Sequence, residues 1–164
     1  MPAPKDPHYV AVETGISVII NVAISAGFMF RVFGHADSID LWGPHGLALD
    51  FVPQTFMITL MSVVVPTLIT RKRLAGGQIT RRTPRVRQWP KNLALRASLL
   101  AVGMTLVLGG AATLLLASFW SGPVPFWHVF AGKLAYGALA AVIATPIGLF
   151  LALTELPRPD KISP

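Results

Sequence analysis

Four long stretches of the chain contain no Lys, Arg, Asp or Glu: residues 14–30, 51–70, 97–119 and 134–154. Each approaches or exceeds the ~17–20 residues that a helix needs to cross a hydrocarbon core of roughly 30 Å. None alternates with a two-residue period, and all are longer than the ~10 residues of a barrel strand. The sequence therefore predicts an all-α polytopic membrane protein with four transmembrane helices.

The rest of the chain is short flanking sequence, so we expect one domain. The predicted four-helix transmembrane domain covers residues 10–156, and its spans cover 10–32, 47–71, 93–120 and 126–156. A flexible N-terminus, 1–9, precedes it, and a Pro-rich tail, 157–164, follows. The first run ends without a small-residue cleavage site, so we expect a retained helix. The chain has no Cys, which excludes disulfides and thiolate chemistry.

The positive charge is concentrated in one connection. Nine of the 14 Lys and Arg residues lie between positions 71 and 96, in and around a basic loop at 72–92. The positive-inside rule places that loop in the cytoplasm. The predicted topology is two antiparallel hairpins in the cell inner membrane, multi-pass, with both termini cytoplasmic.

Basic clusters also bind nucleic acid, but topology and anionic lipid explain this one sufficiently. Each Lys or Arg near an anionic membrane surface contributes on the order of 1 kcal/mol. We therefore expect the lipid bilayer, with anionic lipid at the basic loop, as a partner, and no nucleic acid.

Small residues recur every four positions in the third and fourth predicted helices. Residues four apart share a helix face, and small side chains there allow close helix packing in lipid. We expect packing seams, with pore lining as the alternative. Pro66 and Pro146 should kink or unwind the second and fourth helices. The predicted seam residues are Ala101, Thr105, Gly109, Thr113, Ala140, Ala144 and Gly148.

The first helix carries a polar stripe at the same spacing: Glu13, Ser17, Asn21 and Ser25. The Asn21 amide should lie near mid-membrane, where facing lipid is costly. This face of the helix should therefore point into the bundle or toward another subunit. An acidic residue in the first of four helices resembles the small multidrug resistance transporters, in which such a Glu exchanges protons for cationic drugs. Glu13, however, lies within reach of cytoplasmic water, and the basic central loop differs from that family's weakly biased topology.

Two charges flank the second and fourth apolar runs at the outer side. Asp50 and Lys133 each lie just before a long uncharged run, so they should sit at similar depth and can form an ion pair. Simple snorkelling of Lys133 to the interface is the alternative. The predicted outer-side polar cluster adds Arg31, His35, Asp37, Asp40, His45 and His128.

These outer residues also suggest ligands. Imidazole and carboxylate groups can hold a metal, His can ligate haem, and the nearby Trp42, Trp120, Phe126 and Trp127 could flank a quinone. Their spacing matches no ligand motif, so no cofactor is strongly implied. The chain has no nucleophile elbow, HExxH motif or phosphate-binding glycine loop, and we expect no enzyme.

The segments "ISAGFMFRVFG", "GHADSIDLWGPHGLALDFVPQ" and "GKLAYGALAAVIATP" resemble small bacterial four-helix inner-membrane proteins of the permease-like kind. The resemblance covers nearly the whole chain and assigns no transport residue. The leading hypothesis is an accessory or self-associating subunit, either a homo-oligomer or bound to a membrane-protein partner or lipid through the seams and the outer cluster. The alternatives are a small oligomeric transporter or channel and a haem-, metal- or quinone-binding protein.

Overall fold

The computed structural model describes residues 6–34, 36–43, 46–80, 90 and 92–155. It contains α1 (Asp6–Phe33), α2 (Leu47–Ala75), α3 (Leu93–Met104), a π-helical turn (Thr105–Gly109), α4 (Gly110–Phe119) and α5 (Phe126–Leu153). Because α3, the π turn and α4 form one continuous rod, four helices are long and apolar enough to cross a membrane. The predicted all-α chain with four candidate spans is confirmed at this level.

The helix boundaries differ from the predicted spans mainly in the first half of the chain. Helix α1 begins at Asp6, so the prediction of a flexible segment was wrong for residues 6–9. Tyr9 holds this extension in place, because its ring is buried beside Leu149 and Leu153. Helix α2 extends to Ala75, into the predicted loop, and α5 ends at Leu153. Residues 81–89, 91 and the tail 157–164 lie outside the described residues.

The prolines do not interrupt their helices. Helix α2 is continuous through Pro53 and Pro66, and α5 is continuous through Pro146. A proline removes one backbone hydrogen bond, and packing of neighbouring helices can keep such a helix intact. Neither helix unwinds at its proline, the predicted kinks stay a prediction, and the irregular turn lies in the third candidate span, at Thr105–Gly109.

Helix α5 lies at the centre of the packing. It contacts α1 and α2 extensively, while the α3–α4 rod packs on α2. Two of the close approaches of other helices to α2 involve glycines: a Cβ on Gly148 would lie 3.1 Å from the Val63 Cα, and one on Gly109 would lie 3.2 Å from the Thr55 Oγ1. Helices α1 and α2 touch each other only slightly. The order across the molecule is therefore α1, α5, α2 and then α3–α4.

The two ends of the molecule are held differently. At the end called the ribbon end, β1 (Ser38–Ile39) pairs antiparallel with β2 (Val124–Pro125) over a buried apolar cluster that includes Met29 and Phe51. The opposite end, called the terminal end, holds a set of polar side chains joined by hydrogen bonds: Tyr9 to Thr70, and Arg71 and Arg96 to Glu155.

Candidate functional site

A groove separates α1 from α2, and it is called the α1–α2 groove below. Its volume is about 440 Å³, and Lys133 of α5 lies on its floor. On α1 its lining extends from Glu13 to Phe33, which corresponds to roughly 30 Å at the helical rise per residue. The groove is therefore about as long as a hydrocarbon core is thick.

The walls and the floor of the groove have opposite chemistry. The walls are exposed apolar side chains, including Ile16, Ile20 and Ile24 on α1 and Met57 and Met61 on α2. The floor carries the predicted polar stripe, because the buried face of α1 consists of residues exactly four apart. These buried residues are Tyr9, Glu13, Ser17, Asn21, Ser25 and Met29. A molecule in the groove would contact apolar walls and a polar base.

A hydrogen-bond network joins three helices halfway along the groove. Asn21 Nδ2 donates to Ser17 O at 2.8 Å and to Ser62 Oγ of α2 at 3.1 Å. Ser17 Oγ donates to Ser62 Oγ at 3.3 Å and accepts from Thr145 Oγ1 of α5 at 2.8 Å. The polar stripe thus faces α2 and α5 at this level.

An ion pair crosses the groove at its terminal end. Glu13 of α1 lies 2.8 Å from Arg73 Nη1 of α2, and the Arg73 guanidinium also stacks over the Tyr9 ring. The Glu13 carboxylate is buried, whereas Arg73 remains partly exposed. Glu13 is therefore held by a cation from the basic last turn of α2.

A second ion pair lies at the ribbon end. Lys133 of α5 pairs with Asp50 of α2, and its ammonium also lies about 6 Å from the ring centres of Phe33 and Phe51. The Lys133 side chain is 7% exposed and the Asp50 side chain 37% exposed. Lys133 thus lies on the floor of the groove and pairs with Asp50, and the Asp50 side chain reaches the surface.

One turn further into the groove, Gln54 offers a buried amide that nothing in the described part of the chain satisfies. Neither its nitrogen nor its oxygen has a hydrogen-bond partner there. Gly137 of α5 packs closely beside it, because an added Cβ would lie 3.1 Å from Ser25 Oγ and 3.8 Å from Gln54 Nε2. An unsatisfied buried amide costs roughly 1–3 kcal/mol, and a polar ligand at this position would offset that cost.

The other described residues of the predicted outer-side polar cluster form no ion pair with Lys133 or Asp50. Arg31, Asp37, Asp40 and His128 are exposed, and none forms an ion pair within the described ranges. Asp37 and Asp40 contribute backbone carbonyls that accept hydrogen bonds from Phe126 and Leu47. His35 and His45 lie outside the described residues. Among the residues that the structure describes, no three His, Asp or Glu side chains are arranged to hold a metal ion.

The small-residue seams lie inside the chain. Ala101 and Gly109 are buried and Thr105 half-buried, while Thr113 Oγ1 donates to Ala48 O of α2 at 3.1 Å. On α5, Gly148 packs on Val63 of α2. Ala140 and Ala144 are buried as well. These seams pack helices of one copy together, so they are not free surfaces for a partner.

Glu155 links α2, α3 and the end of α5. It accepts hydrogen bonds from Arg71 at 2.8 and 2.9 Å and from Arg96 at 2.6 Å. Burial by itself would raise the pKa of Glu155, but the hydrogen bonds and positive charges of Arg71 and Arg96 outweigh it and lower the pKa below its ordinary value. The carboxylate is thus ionised at neutral pH and holds the terminal end together.

Several residues in or beside the groove were not singled out from the sequence. Gln54 follows Asp50 by four residues, and Gly137 follows Lys133 by four, so both share a helix face with the ion pair. That spacing could have identified them. Ser62 and Thr145 carried no such signal, because short hydroxyl side chains are common in membrane helices.

The architecture defines a class: a small helical membrane protein with four candidate spans and a lateral groove with a polar floor. No protein family model, curated protein or solved structure matches the chain.

Proposed function

We propose that the protein is a small permease-like transporter of the cell inner membrane that carries an amphipathic solute along the α1–α2 groove. Its four helices form two antiparallel hairpins with both termini in the cytoplasm, so the terminal end is cytoplasmic. Two contacts support the hairpin arrangement: the start of α1 meets the end of α2 through Tyr9 and Thr70, and the start of α3 meets the segment just after α5 through Arg96 and Glu155.

The groove itself carries the proposal. Polar side chains are expensive inside a membrane and concentrate along solute pathways. Here Glu13, Asn21, Gln54 and Lys133 line one groove that extends over about the thickness of the hydrocarbon core. The apolar walls would accept the hydrocarbon part of a solute, and the floor would guide its polar part.

The two ion pairs give the groove a closed resting state at each end. Glu13–Arg73 and Asp50–Lys133 each join a groove-lining residue to a residue of another helix. A solute must exchange with one pair to enter and with the other to leave. Because one side of the groove is open to lipid, we also propose a homo-oligomer in which a second copy covers it.

Flux in liposomes tests this function. Fluorescent lysophosphatidylcholine and lysophosphatidylglycerol are placed in both leaflets, and dithionite bleaches the outer one. The protein should accelerate loss of the protected signal for at least one probe, and Asn21→Ala should reduce that rate at least fivefold. The matched control is Ser118→Ala, which removes a polar group on an exposed helix face. Equal rates for the protein, Asn21→Ala and protein-free liposomes would contradict transport.

An accessory subunit is the second candidate. The observation in its favour is that the groove is as long as a membrane span and walled by exposed Ile and Met side chains, so a helix of another protein could lie in it. Purification in a mild detergent distinguishes the two candidate functions. A stoichiometric foreign membrane subunit supports the accessory function, and a homo-oligomer that gives flux supports the transporter.

A further inference from the structure

The ribbon half of the α1–α2 groove combines three features that together select a ligand: a buried cation, an unsatisfied amide and apolar walls. Lys133 supplies the cation and Gln54 the amide, and the walls include Ile24 and Phe28. The chemistry of each feature restricts the ligand further. This inference rests on the proposed function because it uses the same groove. It concerns which ligand binds there, whereas the proposed function concerns the transport of a solute.

The first restriction comes from the unequal exposure of the ion pair. If the pair opens, Asp50, 37% exposed, can be hydrated at the surface. Lys133, 7% exposed, stays among Phe33 and Phe51 and must find another anion. A buried unpaired charge is strongly unfavourable, so opening the pair requires an anion to replace Asp50. The site therefore selects negative head groups over neutral or positive ones.

The second restriction comes from the amide. Gln54 lies one helical turn from Asp50 on the same face, so its N–H donors lie on the path of a head group that reaches Lys133. An anionic head group accepts a hydrogen bond from this amide and satisfies a donor that lacks a partner in the described part of the chain. Hydrogen bonds to ionised acceptors are about twice as strong as neutral ones.

The third restriction comes from the apolar walls. From Phe33 to Ile24 the groove has apolar walls, and it then meets the Asn21 network. This distance is about 14 Å at the helical rise, close to half of a hydrocarbon core of roughly 30 Å, which one acyl chain fills. The walls on this half include Ile24, Phe28 and Met57.

We infer that the ribbon half of the groove binds a single-chain amphiphile with a carboxylate head, a long-chain fatty acid, whose carboxylate displaces Asp50 from Lys133 and accepts a hydrogen bond from Gln54. Its chain lies between α1 and α2 and ends near Asn21.

Equilibrium binding of radiolabelled palmitate to the full chain in phosphatidylcholine nanodiscs tests this. We expect saturable binding of one palmitate per chain, with empty nanodiscs as the blank. Hexadecanol and hexadecyltrimethylammonium, which have the same chain length, should compete at least tenfold less well than unlabelled palmitate. Unlabelled phosphatidylglycerol should also compete poorly, because it carries two chains.

Variants identify the groups involved. Gln54→Leu and Lys133→Gln should each weaken palmitate binding at least tenfold. Asp50→Asn removes the competing anion and should strengthen it at least tenfold. Arg31→Gln removes an exposed cation at the same end and should leave the affinity unchanged. Palmitate should also raise the thermal midpoint of Asp50→Asn more than that of the unaltered protein, because it restores a counterion to Lys133.

The outcomes separate this inference from the proposed transport. Equal competition by hexadecanol, preferred binding of the trimethylammonium probe, or weaker palmitate binding in Asp50→Asn overturns the fatty-acid assignment, whatever the lysolipid flux. If Lys133→Gln fails to fold, Gln54→Leu and Asp50→Asn still decide the question. Palmitate binding without lysolipid flux supports the assignment and contradicts transport.

Discussion

At the scale of single residues, Lys133 and Asp50 differ in how far each side chain reaches solvent. A charge that can reach water tolerates the loss of its partner, whereas a buried one does not. Lys133 is therefore the residue that needs the pair, and Asp50 is the residue that can leave it.

Stability of variants should reflect this asymmetry. Asp50→Asn should destabilise the protein more than Lys133→Met does, because it leaves a buried ammonium without a carboxylate. The double variant should recover stability, with a coupling energy of about 1–2 kcal/mol in a double-mutant cycle. Thermal unfolding in mild detergent compares the stability of the unaltered protein, the two single variants and the double variant. Additive effects of the two substitutions would show that the residues are not energetic partners.

Glu155 gives the terminal end a pH dependence. Its pKa in the folded state lies below the ordinary 4.5. Its ionised form therefore stabilises the protein above that value, and this contribution disappears as the pH falls from 4.5 through the lower folded pKa. Glu155→Gln should cost on the order of 1 kcal/mol at pH 7, and this cost should shrink as the pH falls below 4.5.

Unfolding midpoints from pH 7 to pH 3 check this expectation. Asp37→Asn is the matched control, since Asp37 is exposed and has no ion pair within the described ranges. A constant difference between Glu155→Gln and the unaltered protein across this range would show that protonation of Glu155 does not cause the loss of stability at low pH.

At the scale of helices, glycine decides where two backbones meet. Gly148 lets α5 approach the backbone of α2 at Val63, whereas Gly103 on α3 has nothing within 4 Å of an added Cβ. The same residue type thus has a packing role at one position and faces open space at the other.

Substitution by leucine should distinguish the roles of these two glycines. Gly148→Leu forces α5 away from α2 and should lower the free energy of unfolding by about 2 kcal/mol. Gly103→Leu should change it by less than about 0.5 kcal/mol, because the new side chain faces open space. Chemical unfolding in mixed micelles compares them, and equal losses would show that the α2–α5 contact is not specific.

The sequence predicts each helix better than it predicts the neighbours of that helix. Charge-free runs identified the four spans, and the four-residue spacing of Glu13, Ser17 and Asn21 identified the face of α1 that is buried. Equal depth suggested Asp50 and Lys133 as partners. The groove could not be predicted, because periodicity does not say that α5 rather than α2 lies beside α1. The π turn at Thr105–Gly109 also has no signal in a uniformly apolar run.

At the scale of the whole molecule, the proposed orientation can be tested directly because the chain has no cysteine of its own. Gln78→Cys lies at the terminal end and Ser121→Cys at the ribbon end, and both positions are exposed. An impermeant maleimide on intact spheroplasts should label only Ser121→Cys, and both variants should react after permeabilisation. Labelling of Gln78→Cys alone in intact spheroplasts would reverse the orientation.

The helix order also has a consequence for biosynthesis. Helix α1 packs mainly on α5, yet 92 residues separate Phe33 from Phe126. At translation rates of about 5–20 residues per second, α1 waits roughly 5–20 s for its main partner to be made. During that interval Ser17 lacks Thr145 of α5, and α2 supplies the available partner, Ser62, for Ser17 and Asn21. Until α5 is made, the polar face of α1 therefore lacks the helix on which it mainly packs in the complete fold.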